Sequence, residues 1–110
     1  MYNPICFDYF YKKIQKHFNA KHSEEIILTS GTTHSINLVA NGFTSLLNSD
    51  DEILISELEH HSNIVPWQQI AKKKNAEIRY LPMTKDGKID LSNISKIIDS
   101  KTKIVSLTHI

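Results

Sequence analysis

Apolar residues recur along this chain in two alternating rhythms. Phe7, Phe10, Ile14 and Phe18 stand three or four apart, which predicts an amphipathic helix over residues 8–19. The run EEIILT, residues 24–29, reads as a short buried strand, and SGTTHS after it as a turn of small polar residues. Ile36, Val39, Ala40, Phe43, Leu46 and Leu47 then keep to an i, i+3, i+4, i+7 pattern, which predicts a helix over residues 32–47, closed by NSDD. EILIS is the next strand. A helix follows over residues 63–74, with Ile64, Trp67, Ile70 and Ala71 on one face. Pro66 falls in its first turn, where the missing N–H is tolerated because that donor has no intrahelical partner. AEIRYLPM reads as a strand, TKDGK as an Asp-Gly turn, residues 91–99 as a short helix and residues 102–110 as a last strand.

Four apolar strands alternating with four amphipathic helices predict an α/β fold, a mainly parallel sheet with flanking helices and right-handed crossovers. The last strand looks central. A parallel sheet needs cover on both faces, and four strands with four helices make a thin core. The chain therefore reads as one partial domain, residues 1–110, cut from a larger one at its C-terminal side.

Composition narrows the function. Thirteen basic and twelve acidic residues leave a formal charge of +1, which gives no electrostatic footprint for nucleic acid and no preference for an anionic membrane. No run approaches the roughly 18 apolar residues of a membrane span. The N-terminus lacks the basic and apolar regions of a signal peptide. Cys6 is the only cysteine, so no internal disulfide is expected, and a reducing cytoplasm suits the chain. No motif surrounds Cys6, and it reads as a small buried or terminal thiol. The triplet NIS at Asn93 carries no meaning without a secretion signal.

Two stretches carry candidate chemistry. In TSGTTHS, a strand is expected to end, Gly31 permits close backbone approach, and a helix begins near Thr32. The free N–H groups and positive dipole end of that helix, with the hydroxyls of Thr32 and Thr33, suit a phosphate monoester. Plain helix capping explains the same residues. The second stretch, ELEHHSN, puts Glu57, Glu59, His60 and His61 just after the EILIS strand. Ligands in open α/β sheets sit beyond the carboxyl ends of the strands. If the two preceding strands are neighbours, both loops face one crevice. An imidazole there stacks on a heteroaromatic ring or moves protons near neutral pH. An incidental surface loop is the plainer alternative. A metal site is disfavoured, because adjacent side chains in an extended segment point apart and the six histidines are scattered. His109 lies at the end of the last expected strand, again on the carboxyl side.

TSGTTHSINLVA followed by ELEHHSNIVPWQ closely resembles the cysteine desulfurases of the sulfur-mobilisation type, pyridoxal 5′-phosphate (PLP) enzymes of the class V aminotransferase family. AEIRYLPMTKDGKIDL and KTKIVSLTH continue the resemblance, which runs from about Phe18 to His109. It implies part of the large domain of a fold-type I PLP-dependent transferase. It implies removal of sulfur from L-cysteine, giving L-alanine and a persulfide on an enzyme cysteine, within iron–sulfur cluster assembly. It implies a homodimer and a sulfur-acceptor protein. Gly31, Thr32 and Thr33 match the family's phosphate-binding turn. His60 matches the histidine that stacks on the cofactor ring and assists proton transfer. Ser30 stands where relatives often carry arginine, and His34 where an acidic residue is common. The family's cofactor-holding asparagine and aspartate, its Schiff-base lysine and its nucleophilic cysteine have no counterpart in these residues, so the chain alone is expected to be inactive. Another class V enzyme, such as a selenocysteine lyase or kynureninase, and a non-catalytic remnant acting as a binding module are the competing readings.

Overall fold

Five consecutive residues, Glu52–Ser56, are all buried, and they form the strand β1. Burial on both faces is the signature of a central parallel strand. In the computed structural model residues 4–109 are described, and they divide into two units, Met1–Ser30 and Gly31–Ile110.

In the second unit β1 pairs in parallel with β2 (Glu77–Leu81) on one side and β3 (Thr102–Ser106) on the other, so the strand order is β2-β1-β3. Ile53 stands opposite Ile78 and Ile104 in the two ladders. Ile53 and Ile55 project from one face into a cluster with Ala40, Leu47, Trp67, Ile70 and Ala71. Those partners come from the helices α2 (Thr32–Phe43) and α3 (Val65–Lys74) and from the segment that follows α2. Leu54 alternates to the opposite face and is equally buried. Arg79 braces β1 to β2, reaching the Glu52 carboxylate at 2.7 Å, and meets the Ile97 carbonyl of α4 (Ile94–Ile97) at 3.0 Å.

Local chemistry sets the ends of these elements. Gly31 begins α2 with φ at 152°, a region open essentially to glycine alone. Pro66 sits in the first turn of α3, as its sequence position predicts. Asn75 closes α3 in the left-handed conformation, and the Ala76 N–H donates to the Ala71 carbonyl at 2.9 Å.

Several expectations change. EEIILT is not a strand, so the described residues hold three strands rather than four. Ser23–Glu25 form a 3-10 turn, tied by the His22 N–H to the Glu25 carboxylate at 2.8 Å. Ile27 is 68% exposed, so this apolar run does not enter a core here. A short apolar run becomes a strand only where a ladder receives it. The helix expected over residues 32–47 stops at Phe43 and tightens into a 3-10 turn, Thr44–Leu46. The Thr44 hydroxyl donates to the Ala40 carbonyl at 3.0 Å, a back-bond that bends helices. The helix expected over residues 91–99 contracts to Ile94–Ile97. The last strand stops at Ser106 and pairs, among the described residues, with β1 alone. It ends because the Thr108 N–H is taken by a side chain, Glu59.

In the first unit α1 runs Pro4–His17, starting earlier than the spacing predicts. Phe7 and Phe10 on its apolar stripe are exposed, as are Cys6 and Phe18 just beyond its end.

The cluster around β1 gives a direct expectation. Ile55→Ala lowers the unfolding free energy by about 2–5 kcal/mol, the range for emptying a fully buried aliphatic site. Leu46→Ala, at a side chain 65% exposed, shifts it by less than about 1 kcal/mol. Urea denaturation of the two variants beside the unaltered chain checks both.

Candidate cofactor site

β1 and β3 run side by side and end at the same edge of the sheet, so the segments that leave them share a crevice. Beyond β1 the chain passes through Glu57, Leu58 and Glu59 into a 3-10 turn, His61–Asn63, which leads into α3. Beyond β3 come Leu107, Thr108 and His109. The helix α2 packs against the His61–Asn63 turn. A cleft of about 560 Å³ lies between these segments, lined among others by Thr32, Ile36, His60, Asn63, Thr108 and His109.

The sequence-derived candidates are therefore partly brought together. Thr32 and His60 line one cleft, and His109 joins them. Gly31 and Thr33 are exposed at the start of α2 and do not line it. The crevice arises by another route than the one expected. The strand before SGTT is missing, and β3 supplies the neighbouring strand end instead.

His60 caps the 3-10 turn. Its Nδ1 accepts the Ser62 N–H at 3.2 Å and lies 3.0 Å from the Ser62 hydroxyl. An acceptor at Nδ1 leaves the ring proton on Nε2. His61 does not stack flat on it, since the two rings are 6.0 Å apart and inclined at 64°. Among the described residues no group of three or more His, Cys, Asp or Glu stands close enough to hold a metal ion.

Glu59 is the residue whose role the sequence does not disclose. It is 9% exposed, and four groups donate to its carboxylate. The Ser56 hydroxyl and the Thr108 N–H reach Oε1 at 2.5 and 2.9 Å. The Thr108 hydroxyl and the Asn63 amide reach Oε2 at 2.6 and 2.7 Å. Asn63 Oδ1 in turn accepts from the Trp67 indole at 2.8 Å and from the Ser106 hydroxyl at 2.6 Å. Among the described residues no buried side-chain polar atom is left without a partner. Burial works to raise the Glu59 carboxyl, but the bonds from Ser56, Thr108 and Asn63 outweigh it and lower it to about 2. A buried acidic residue flanked by Ser at i−3 and Asn at i+4 is the only local hint of this cluster.

A model of the class-V aminotransferase family matches residues 6–110. The chain belongs to that family. Over 98 residues it is 51% identical to a probable cysteine desulfurase of Staphylococcus epidermidis, covering 88% of this chain and 24% of the relative. The cysteine desulfurase of Thermococcus onnurineus superposes with a TM-score of 0.79 at 34% identity, over 88% of this chain and 24% of that one. The cysteine desulfurase CsdA of Escherichia coli gives 0.78 at 33% identity, over 86% and 24%. The class-V chain thus spans about a quarter of the length of these relatives, and its fold is part of the fold-type I PLP-enzyme architecture. No helix among its described residues is long and apolar enough to cross a membrane.

The lowered Glu59 carboxyl has a consequence for stability. A depressed folded-state value contributes stability that is present above the unfolded value, about 4.5, and is lost as pH falls towards about 2. The loss is on the order of 3 kcal/mol across that window. Glu59→Gln flattens this part of the profile and lowers stability at pH 7 by about 1–3 kcal/mol, because hydroxyl and amide donors then face an amide. Urea titrations at pH 3, 5 and 7 read both effects.

Proposed function

We propose that this chain forms one wall of the PLP site of a cysteine desulfurase, with Gly31, Thr32 and Thr33 towards the phosphate and His60 against the ring. The observation that supports the reading is that Thr32, at the N-terminus of α2, and His60, at the exit of β1, line the same cleft. Its volume of about 560 Å³ falls within the range of small-molecule and cofactor sites, roughly 300–1,000 Å³.

Each end of the cleft suits one end of that cofactor. A phosphate dianion is favoured at the positive end of the α2 dipole. The Thr32 hydroxyl adds a donor in the cleft, Thr33 stands next to it outside the lining, and glycine at 31 leaves nothing bulky in front of the first turn. At the other end, the Ser62 N–H holds the His60 ring through Nδ1, which leaves the flat face of the imidazole to meet a heteroaromatic ring and the Nε2 proton to be donated. When bound, PLP supplies an electron sink for the amino acid substrate. The chain's own residues bind and orient.

The substrate is L-cysteine, and sulfur passes to an enzyme cysteine and then to an acceptor protein serving iron–sulfur cluster assembly. The reaction runs in the cytoplasm in a homodimer. The likeness to cysteine desulfurases supports these finer points. None of the lysines of this chain is assigned the Schiff-base role, and Cys6 is not the nucleophile.

Pyridoxine 5′-phosphate tests the site, because it has no aldehyde to react with the twelve surface-rich lysines of the sequence. Trp67, the sole tryptophan, is bonded to the cleft residue Asn63 and serves as a reporter. Titration produces saturable quenching of Trp67 emission, and pyridoxine without phosphate binds at least tenfold more weakly. Thr32→Ala narrows that difference, and His60→Ala weakens both ligands. Equal binding of the two ligands, or no saturable quenching, sinks the assignment.

A further inference from the structure

Glu59 holds together two walls of the cleft that belong to distant parts of the chain. On the near side, Asn63 Nδ2 donates to Oε2, and the Asn63 N–H donates to the His60 carbonyl at 2.8 Å. The turn that carries His60 is therefore closed by a residue whose side chain Glu59 grips. On the far side, Thr108 donates twice, through its N–H and its hydroxyl, one to each carboxylate oxygen. That pair of hydrogen bonds to one side chain fixes both the position and the rotation of the segment leaving β3, which bears His109. Ser56, the last residue of β1, donates to the same carboxylate and anchors it to the central strand.

We propose that Glu59 is a positioning residue of the cleft, setting the placement of the His60 turn against the Thr108–His109 segment so that both walls meet one ligand. Glu59 does not line the cleft, and it acts through the residues it holds. Its four donors come from three segments, the end of β1, the 3-10 turn and the exit of β3, so its removal leaves the Ser106 hydroxyl on Asn63 Oδ1 to join the two walls and frees the Thr108–His109 segment beyond it. Glutamine has the same shape but offers one acceptor oxygen, so it keeps at most half of the clamp.

The proposal rests on the cleft being the ligand site, and the experiment separates the two. The first measurement needs no ligand. In amide hydrogen exchange of the full chain, Glu59→Gln speeds exchange at the Thr108 amide at least tenfold while Ile53, Leu54 and Ile55 keep their protection. Unchanged exchange at Thr108 overturns the clamp even where the ligand binds as proposed. The second uses pyridoxine 5′-phosphate and Trp67 emission. Glu59→Gln weakens binding at least fivefold, Glu59→Asp restores part of it, and His60→Ala added to Glu59→Gln costs no more than Glu59→Gln alone. Full additivity of the two substitutions overturns an action through His60. If Glu59→Gln does not fold, Thr108→Val removes one donor from the far wall and is expected to give the same non-additivity with His60→Ala, with additivity again overturning it.

Discussion

A carboxylate buried at the end of a central strand is costly unless every lone pair finds a donor. Glu59 meets that condition with four donors from three segments, and much of the surrounding geometry follows from it. Ser56 must end β1 with its hydroxyl turned back. Asn63 must sit where its amide reaches forward while its oxygen accepts from Trp67 and Ser106. Thr108 must leave the ladder, because its N–H serves a side chain instead of a strand. The end of β3 at Ser106 is thus set by a hydrogen bond rather than by any loss of β propensity in the sequence.

The sheet makes this possible by placing strand ends side by side. β1 lies between β2 and β3 with both faces covered, so its direction is fixed by the apolar cluster on one side and by Leu54 and the Arg79 brace on the other. Parallel neighbours put their carboxyl ends at one edge, where backbone groups leave the ladder and turn. A helix N-terminus delivered to the same edge adds a favourable dipole. The apolar order of the core and the polar order of the cleft are therefore two ends of one arrangement. Cavity formation at Ile55 and loss of a donor at Thr108 disturb it from opposite directions.

Some of this was legible in the sequence, and the pattern of success has a physical basis. EILIS was readable as a buried strand because four apolar or small residues between Glu52 and Glu57 fit little else, and the α2 stripe because its repeat is nearly unbroken. Pro66 marked the start of α3 by its own chemistry. EEIILT was not readable in that way, since a run of three aliphatic residues looks the same whether or not a ladder is there to receive it. His60 was legible as a candidate through its strand-exit position and family resemblance, and Thr32 through the helix start and the same resemblance. The role of Glu59 was not, because half of its donors lie 49 residues away at Thr108, and no local spacing encodes that contact.

The saturation of Glu59 also bears on what its neighbour His60 can do. A free carboxylate beside an imidazole would accept a proton-bearing nitrogen and draw the ring towards itself. Here both oxygens already accept two hydrogen bonds each, so no strong acceptor is left for the histidine. His60 is instead oriented by the Ser62 N–H at Nδ1, a neutral donor that fixes the tautomer without adding charge. The structure thereby keeps a full negative charge close to the cleft while preventing it from engaging the ring. That separation leaves the exposed imidazole without a charged partner, which is the state that the proposed stacking role of His60 requires.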